Sequence, residues 1–231
     1  MITLALETAT DICSVAVAQD GILLGRAIAD SVHQHASRLT LLISEALSEA
    51  GVRLPDVNQL VLSDGPGSYT SLRVGAATAK GICLALPGLT FRVVPTLLSL
   101  AVGCDGEGAD RILAVLDSRR GEVYGQVFAV EDLSPQTEVL NIRLTDPSWR
   151  GNLLGGAGLG RIAVCGPGQA RLRGELDAAD NAFTFSSPDQ ALAEYLLRAS
   201  GRGFARQPEI AYYEPFYKNA PFVTRSKKRG L

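Results

Sequence analysis

The chain has 231 residues, which suffices for one large domain or two small ones. A chain of this length buries roughly 70–75% of its unfolded surface and needs no disulfide or metal to fold. Its 22 Lys and Arg against 24 Asp and Glu give a net charge of -2. That balance argues against a basic nucleic-acid-binding surface over the whole molecule, although not against a local patch. The opening segment "MITLALETATD" lacks a basic stretch, and no apolar run approaches the ~18–20 residues of a membrane span. We therefore expect neither a signal peptide nor a membrane helix.

The cysteines are scattered, without a C-x-x-C pair, and each lies among apolar or small residues. This usage predicts buried, reduced thiols and hence a cytosolic, cytoplasmic protein. The four residues are Cys13, Cys83, Cys104 and Cys165.

The predicted elements of the first half are three strands, a helix, a strand, a helix, a strand and a helix. Alternating apolar residues predict the strands, and a 3.6-residue period predicts the helices. Thr70 or Ser71 is expected to N-cap the second helix, which runs to about Leu86. In chain order the elements lie in "ITLALET", "CSVAVAQ", "ILLGRAIAD", "SRLTLLISEALSEA", "QLVLSD", the segment up to Leu86, "FRVVPTL" and the segment up to Ala101.

Gly, Asp and Glu dominate "GCDGEGAD", residues 103–110, which predicts a boundary between domains 1–105 and 106–231. After it the opening pattern returns. "LALETATDICSVAVA" and "LAVLDSRRGEVYGQVFA" both read as strand, acid, hydroxyl, turn and strand. Two such hairpins at corresponding places indicate a duplication. The sequence thus predicts two related mixed α/β domains with a cleft between them.

Further along, "TEVLNIRLTD" predicts a strand, and "RIAVCGPGQARLRGEL" predicts a strand, a Gly-Pro-Gly turn and a helix. "SPDQALAEYLLRAS" predicts a helix capped by Ser187, with Pro188 in its first turn. Residues 131–186 carry no functional motif. The basic tail "RSKKRGL", from about residue 224, is expected to be flexible.

The stretch "SDGPGSYTSLRVGAATAKG" looks like a phosphate cradle but has neither the lysine of a P-loop nor a third glycine in G-x-G-x-x-G spacing. What remains is a helix N-terminus with its free N–H groups and partial positive charge. A tight turn with an N-cap explains the same residues, and we favour it. The weak anion-site candidates are Ser68, Thr70, Ser71 and Arg73.

No metal site is predicted, because His33 and His35 are the only histidines and no third ligand lies near them. Glu7 and Asp117 end corresponding strands and could face each other across the cleft. However, the turn after Glu7 lacks glycine, and Arg119 and Arg120 follow Asp117 where a phosphate loop needs small residues. We therefore predict no cofactor and no ATP hydrolysis.

The second helix divides into three sectors at 100° per residue. Val74, Thr78, Ile82 and Ala85 form an apolar sector that we expect to pack on the chain's own sheet. A second sector holds only small residues, which let another helix approach closely. That helix is either the first helix of this chain or one from a partner, and both alternatives stay open. The residues predicted for a partner interface are Leu39, Leu42, Ile43, Ala46, Leu72, Gly75, Ala76, Ala79 and Cys83.

Several segments together resemble the bacterial TsaB (YeaZ) family. The specific ones are "GPGSYTSLRVG" and "DSRRGEVY", supported by "LALETAT", "HASRLTLLI" and "VVPTLLSLA". They cover about half of the chain, mostly in its N-terminal part. Ser71 stands where the family usually has Gly, but serine is also small and can cap a helix.

The resemblance implies the actin-like/Hsp70-like (ASKHA) fold, with two ribonuclease-H-like domains. It also implies a non-catalytic scaffold subunit of the complex that adds threonylcarbamoyl to the tRNA adenosine beside the anticodon. The implied partners are a TsaD-like paralogue, a TsaE-like ATPase, and tRNA through the complex, with a second copy of the chain as an open alternative. The H-x-x-x-H metal motif of TsaD is not matched by His33 and His35. A metal-dependent peptidase-like hydrolase or an ATPase of the same superfamily is the alternative function.

Overall fold

The computed structural model describes residues 1–29, 35–118, 121–154, 160–175 and 182–219. His33, Arg119, Arg120 and the predicted tail from residue 224 lie outside these ranges. The first half contains β1 (Ile2–Glu7), β2 (Ser14–Gln19), β3 (Ile22–Ile28), α1 (His35–Ala50), β4 (Gln59–Ser63), α2 (Tyr69–Ala85), β5 (Thr90–Val94) and α3 (Thr96–Gly103). The second half contains β6 (Arg111–Asp117), β7 (Glu122–Ala129), β8 (Leu140–Arg143), α4 (Trp149–Leu154), β9 (Ile162–Cys165), α5 (Gln169–Glu175), β10 (Phe183–Phe185) and α6 (Ala193–Gly201).

The two halves have the same sheet topology. The first sheet has the order β3-β2-β1-β4-β5 and the second has the equivalent order β8-β7-β6-β9-β10. In each half, the first three strands form an antiparallel meander. The fourth strand pairs parallel with the first strand, and the fifth pairs parallel with the fourth. The predicted pair of related mixed-sheet halves is confirmed, and so is the ASKHA fold class.

Helices cover both faces of each sheet. Helices α1 and α2 pack on one face of the first sheet, and α6 packs on its other face. Helix α3 packs on one face of the second sheet. Helices α4 and α5 pack on its other face. Helices α3 and α6 also contact each other, so each half sends one helix to the sheet of the other. The domain boundary at residue 105 stays a prediction. The strands before and after it form separate sheets, but α3 and α6 each pack on the sheet of the other half.

Two helix starts differ from the sequence prediction. Helix α2 begins at Tyr69 with Ser68 as its N-cap, so Thr70 and Ser71 lie inside its first turn. Helix α6 begins only at Ala193, and Leu192 rather than Ser187 precedes it. An N-cap hydroxyl is therefore a poor marker of position where several hydroxyl residues follow one another.

The cysteines mostly lie where the sequence predicts. All four are free thiols, and Cys13, Cys83 and Cys165 are buried, while Cys104 is partly exposed. None of the helices in the described ranges is long and apolar enough to cross a membrane.

Candidate functional site

A cleft of about 1510 Å³ separates the two halves. From the first half it is lined by the turn after β1 and by the starts of α1 and α2, and residues 217–219 of the C-terminal segment lie beside them. From the second half it is lined by the end of β6, the start of β7, the end of β8 and α5. Because the carboxyl ends of the parallel strands of both sheets meet here, this is where such a fold places a ligand.

The two acids that end β1 and β6 occupy different environments. Glu7 is 0% exposed and lies behind the cleft lining rather than in it. Asp117 is exposed in the cleft and accepts a hydrogen bond of 2.5 Å from Arg171 Nε. The two carboxylates therefore do not form an open pair across the cleft. Among the described residues, no group of three or more His, Cys, Asp or Glu side chains is placed to hold a metal ion.

Glu7 is buried without full hydrogen bonding. Its Oε1 accepts a bond of 2.7 Å from the Ala9 amide, whereas Oε2 has no partner within the described part of the chain. Burial raises the pKa of Glu7 to about 7, against the lowering effect of hydrogen bonds from Ala9 and Ser63. Burial and the nearby Glu7 charge together raise the pKa of the Cys13 thiol to about 12. The raised pKa means that the folded environment of Glu7 favours the protonated, neutral carboxyl.

In the described part of the second wall, the charged side chains that line the cleft form two ion pairs with each other. Besides the Arg171–Asp117 pair, Arg143 donates to Glu122 Oε1 through Nε at 3.2 Å and Nη2 at 3.1 Å. Both arginines and both acids line the cleft. An anionic ligand would have to compete with these carboxylates for the guanidinium groups.

The predicted anion-site residues divide between the cleft and the surface. Ser68, Thr70 and Ser71 line the cleft, where Ser71 Oγ donates to Ser68 Oγ at 2.9 Å and the Ser71 amide donates to Ser68 Oγ at 3.5 Å. The Ser68 side chain thus accepts a hydrogen bond from one of the free backbone amides at the start of α2. Arg73 is exposed, and its guanidinium bonds Tyr69 Oη at 3.1 Å. Anion binding by these residues stays a prediction.

The predicted orientation of α2 is wrong. The small-residue stripe, defined as Gly75, Ala76, Ala79 and Cys83, is buried against the chain's own core, and Ala79 is 0% exposed. The sector expected to face the sheet is instead only half buried at Val74, Thr78 and Ile82, and exposed at Ala85.

The reason for this orientation is the close approach that small residues allow. A methyl group at Gly75 would overlap Thr8 Oγ1 and lie 3.1 Å from Leu62 Cδ1 of the first sheet. Helix α2 therefore packs on its sheet through the residues with the least volume. The size of the apolar residues is therefore a poor guide to the packed side, because a glycine lets two elements come closer.

The residues predicted for a partner interface are consequently core residues of this chain. The apolar side chains of α1 and the stripe of α2 belong mostly to a single buried cluster, in which the two helices pack on each other. The alternative in which the helices contact each other within the chain is therefore the observed packing. The buried residues are Leu39, Leu42, Ile43, Ala46, Leu72, Gly75, Ala76, Ala79 and Cys83.

The other side of α2 carries exposed residues, which the sequence analysis did not assign to an interface. The exposed row of α2 is defined as Arg73, Ala77, Gly81 and Leu84, and Leu84 is 84% exposed. On α1, Leu41 is 50% exposed. A groove of about 430 Å³ runs beside α1, between its outer side and residues 52–54. An apolar residue exposed on each of two packed helices is the signal that could have identified this face.

The orientation of α2 is testable by charge insertion. Ala79→Arg should lower the free energy of unfolding by about 3 kcal/mol or more, because it buries a charge without a partner. Ala77→Arg is the matched control, two residues away on the exposed row, and should melt within a few degrees of wild type. Thermal melting followed by circular dichroism measures both. Equal melting temperatures for Ala79→Arg and wild type would show that the stripe does not face the core.

The buried Glu7 predicts a pH dependence of stability. The folded chain holds the Glu7 proton more tightly than the unfolded chain, so stability decreases as the pH rises from 4.5 through about 7. Glu7→Gln should remove this part of the slope and be more stable than wild type at pH 8, by up to about 3 kcal/mol. Urea unfolding at pH 5, 6, 7 and 8 measures the difference. A variant with the wild-type slope would contradict the assignment to Glu7.

The chain is similar in sequence to known proteins over about half of its length. A family model described as "TsaD: tRNA N6-adenosine threonylcarbamoyltransferase" matches residues 28–135. The tRNA threonylcarbamoyladenosine biosynthesis protein TsaB of Escherichia coli is 38% identical over 122 residues, which are 52% of this chain and 52% of that protein. The TsaB protein of Haemophilus influenzae is 34% identical over 129 residues, 52% of this chain and 51% of that one. The chain thus spans about half the length of the curated relatives it matches.

Solved structures resemble the chain over more of its length. YeaZ from Pseudomonas aeruginosa superimposes with a TM-score of 0.73 and 24% identity, covering 94% of this chain and 99% of that one. Component A of (R)-2-hydroxyglutaryl-CoA dehydratase from Acidaminococcus fermentans has a TM-score of 0.51 at 11% identity, covering 87% and 96%. Likenesses at these identities show the fold.

Proposed function

We propose that this chain is a TsaB/YeaZ-type protein and a non-catalytic subunit of the machinery that adds threonylcarbamoyl to tRNA, and that it acts by binding a TsaD-like paralogue. A TsaE-like ATPase completes the proposed assembly. A second copy of the chain is a further partner that could occupy the same helix face. tRNA is reached through the complex.

The observation that carries the non-catalytic role is the state of the two strand-end acids. Glu7 is buried with a raised pKa, and Asp117 is paired with Arg171. Nucleotide-cleaving folds of this architecture need free carboxylates in the cleft to position a metal ion. Neither acid is free to do so in the arrangement described, which also argues against the peptidase and ATPase alternatives.

The partner surface that we propose is the outer side of the helix pair. The exposed row of α2 is narrow at Ala77 and Gly81, and an added side chain at Gly81 would meet nothing within 4 Å. Such a small-residue surface lets a partner helix approach to the short end of the ~8–10 Å range of interaxial distances. Leu84 would supply an apolar side chain at the end of this row, and Leu41 would supply another on the neighbouring helix α1. This replaces the buried stripe as the proposed interface.

The partner surface is tested by variants that do not disturb the core. Ala77→Arg and Leu84→Glu should keep the wild-type melting temperature but reduce co-purification with the TsaD-like paralogue at least tenfold, because a bulky charge would lie in the contact. Ile22→Glu is the control, since Ile22 is also exposed but lies on β3. Pull-down and calorimetry with the purified paralogue measure binding. Wild-type affinity of both helix variants would place the partner elsewhere.

The non-catalytic role is tested with nucleotide. The isolated chain should show no ATP hydrolysis above background with Mg²⁺ and only weak ATP binding. Transfer of threonylcarbamoyl to tRNA should require the paralogue. The paralogue alone should transfer poorly, and adding this chain to it should restore transfer. Calorimetry, phosphate release and nucleoside analysis of the tRNA measure the three steps. Turnover of ATP by the isolated chain, lost in Asp117→Asn, would establish the ATPase alternative instead.

A further inference from the structure

The end of α3 and the end of β9 bring two thiols together in the core of the second sheet. Cys165 is the last residue of β9, and its Sγ donates to the carbonyl oxygen of Leu100 in α3 at 3.7 Å. Cys104 follows α3 directly, one helical turn after Leu100. Its side chain packs against the same cluster that contains Cys165, and each thiol shifts the pKa of the other.

The way α3 ends explains this contact. The Cys104 amide bonds the carbonyl oxygen of Ala101 at 3.2 Å, which tightens the last turn. The Leu100 carbonyl then lacks the amide that a continuing helix would supply. The Cys165 thiol takes that place, so β9 is held under the end of α3 and Cys165 Sγ points at the turn that carries Cys104.

The two thiols differ in accessibility and in acidity. Cys165 is fully buried, and burial raises its pKa. Cys104 is partly exposed, and the polar groups of Cys165 and then Ser186 beside it lower its pKa. Cys104 is therefore the thiol that an oxidant in solvent reaches first, and Cys165 is the thiol placed behind it.

We propose that Cys104 and Cys165 form a reversible disulfide when a hydroperoxide reaches the protein. The Cys104 thiolate attacks the peroxide, the O–O bond breaks, and hydroxide or alkoxide leaves with Cys104 as a sulfenic acid. Cys165 then attacks Cys104 Sγ, the S–O bond breaks, and the thiol proton leaves with the hydroxyl group as water. The peroxide gains the two electrons that the two sulfurs lose. A small thiol such as glutathione reverses the reaction by thiol–disulfide exchange.

The proposed bond would join the two halves of the molecule more firmly. Helix α3 packs on the second sheet and also contacts α6, which lies on the first sheet. At Gly103, beside Cys104, an added side chain would come within 2.6 Å of the Tyr195 ring of α6. A covalent link from Cys104 to β9 therefore fixes α3 at its contact with α6. Closing the chain between residues 104 and 165 should also raise resistance to denaturant in the absence of reductant.

The experiment treats the reduced, folded chain with hydrogen peroxide, alkylates free thiols under denaturing conditions and digests with trypsin. Cys104 falls in peptide 93–111 and Cys165 in peptide 162–171, so a linked pair is identified by mass. We expect this linked peptide, two hydrogens lighter than the sum of its parts, and its loss on treatment with glutathione. Cys13 and Cys83, which are buried against the first sheet, should be recovered in alkylated form.

Two variants distinguish the roles of the thiols. Cys165→Ser should accumulate sulfenic acid at Cys104, trapped by dimedone, because the second thiol is missing. Cys104→Ser should leave Cys165 reduced at the same peroxide dose. The inference is overturned if wild-type Cys104 proceeds to the sulfinic acid while Cys165 stays free. It is equally overturned if all four thiols remain reduced at a dose that oxidises an exposed model thiol.

Discussion

The close approach of α2 to the first sheet is the constraint on which most of the proposed functional surface depends. Gly75 lies against Thr8 and Leu62, and Ala79 is fully enclosed. Because the small-residue stripe faces inward, the exposed row with Leu84 must face outward. The same packing brings the start of α2, with its Ser68 cap, to the edge of the cleft. One contact between a glycine and a threonine thus determines both which side of the helix is free and what lines the cleft.

A second constraint ties the C-terminal segment to the loop before α2. Asp64, directly after β4, accepts bonds from Arg206 Nη2 at 2.8 Å and from Tyr213 Oη at 3.1 Å. The Phe216 amide donates to the Asp64 carbonyl at 2.7 Å. Gly65 has a positive φ of 103°, and a side chain there would overlap the Phe216 carbonyl. Glycine is thus required for the segment to pass, after which residues 217–219 reach the cleft.

Much of this fold could be predicted from the sequence, because local periodicity specifies it. The strands and the α1 helix follow from alternation and from a 3.6-residue period, and the repeated hairpin at "LALETATD" and "LAVLDSRR" predicts the duplication. The side of α2 that faces the sheet could not be predicted in this way. Burial of a small-residue stripe depends on what lies opposite, here Thr8, which is 67 positions away from Gly75 in the chain. The exchange of α3 and α6 between the sheets is likewise a long-range packing choice that leaves no local pattern.

The duplicated halves also show where equivalent positions have diverged. A Gly-Pro-Gly turn follows strand β4 in the first sheet and strand β9 in the second. The first glycine of each turn, Gly65 or Gly166, has a φ near 100°. The two turns share this sequence and this φ, although the Gly65–Pro66 peptide bond is cis and the Gly166–Pro167 bond is not. The acids at the ends of β1 and β6 are not alike, since one is buried and the other is held by an arginine. The two halves therefore agree in how the chain leaves each sheet, and they differ in the strand-end acids on which the proposed non-catalytic role rests.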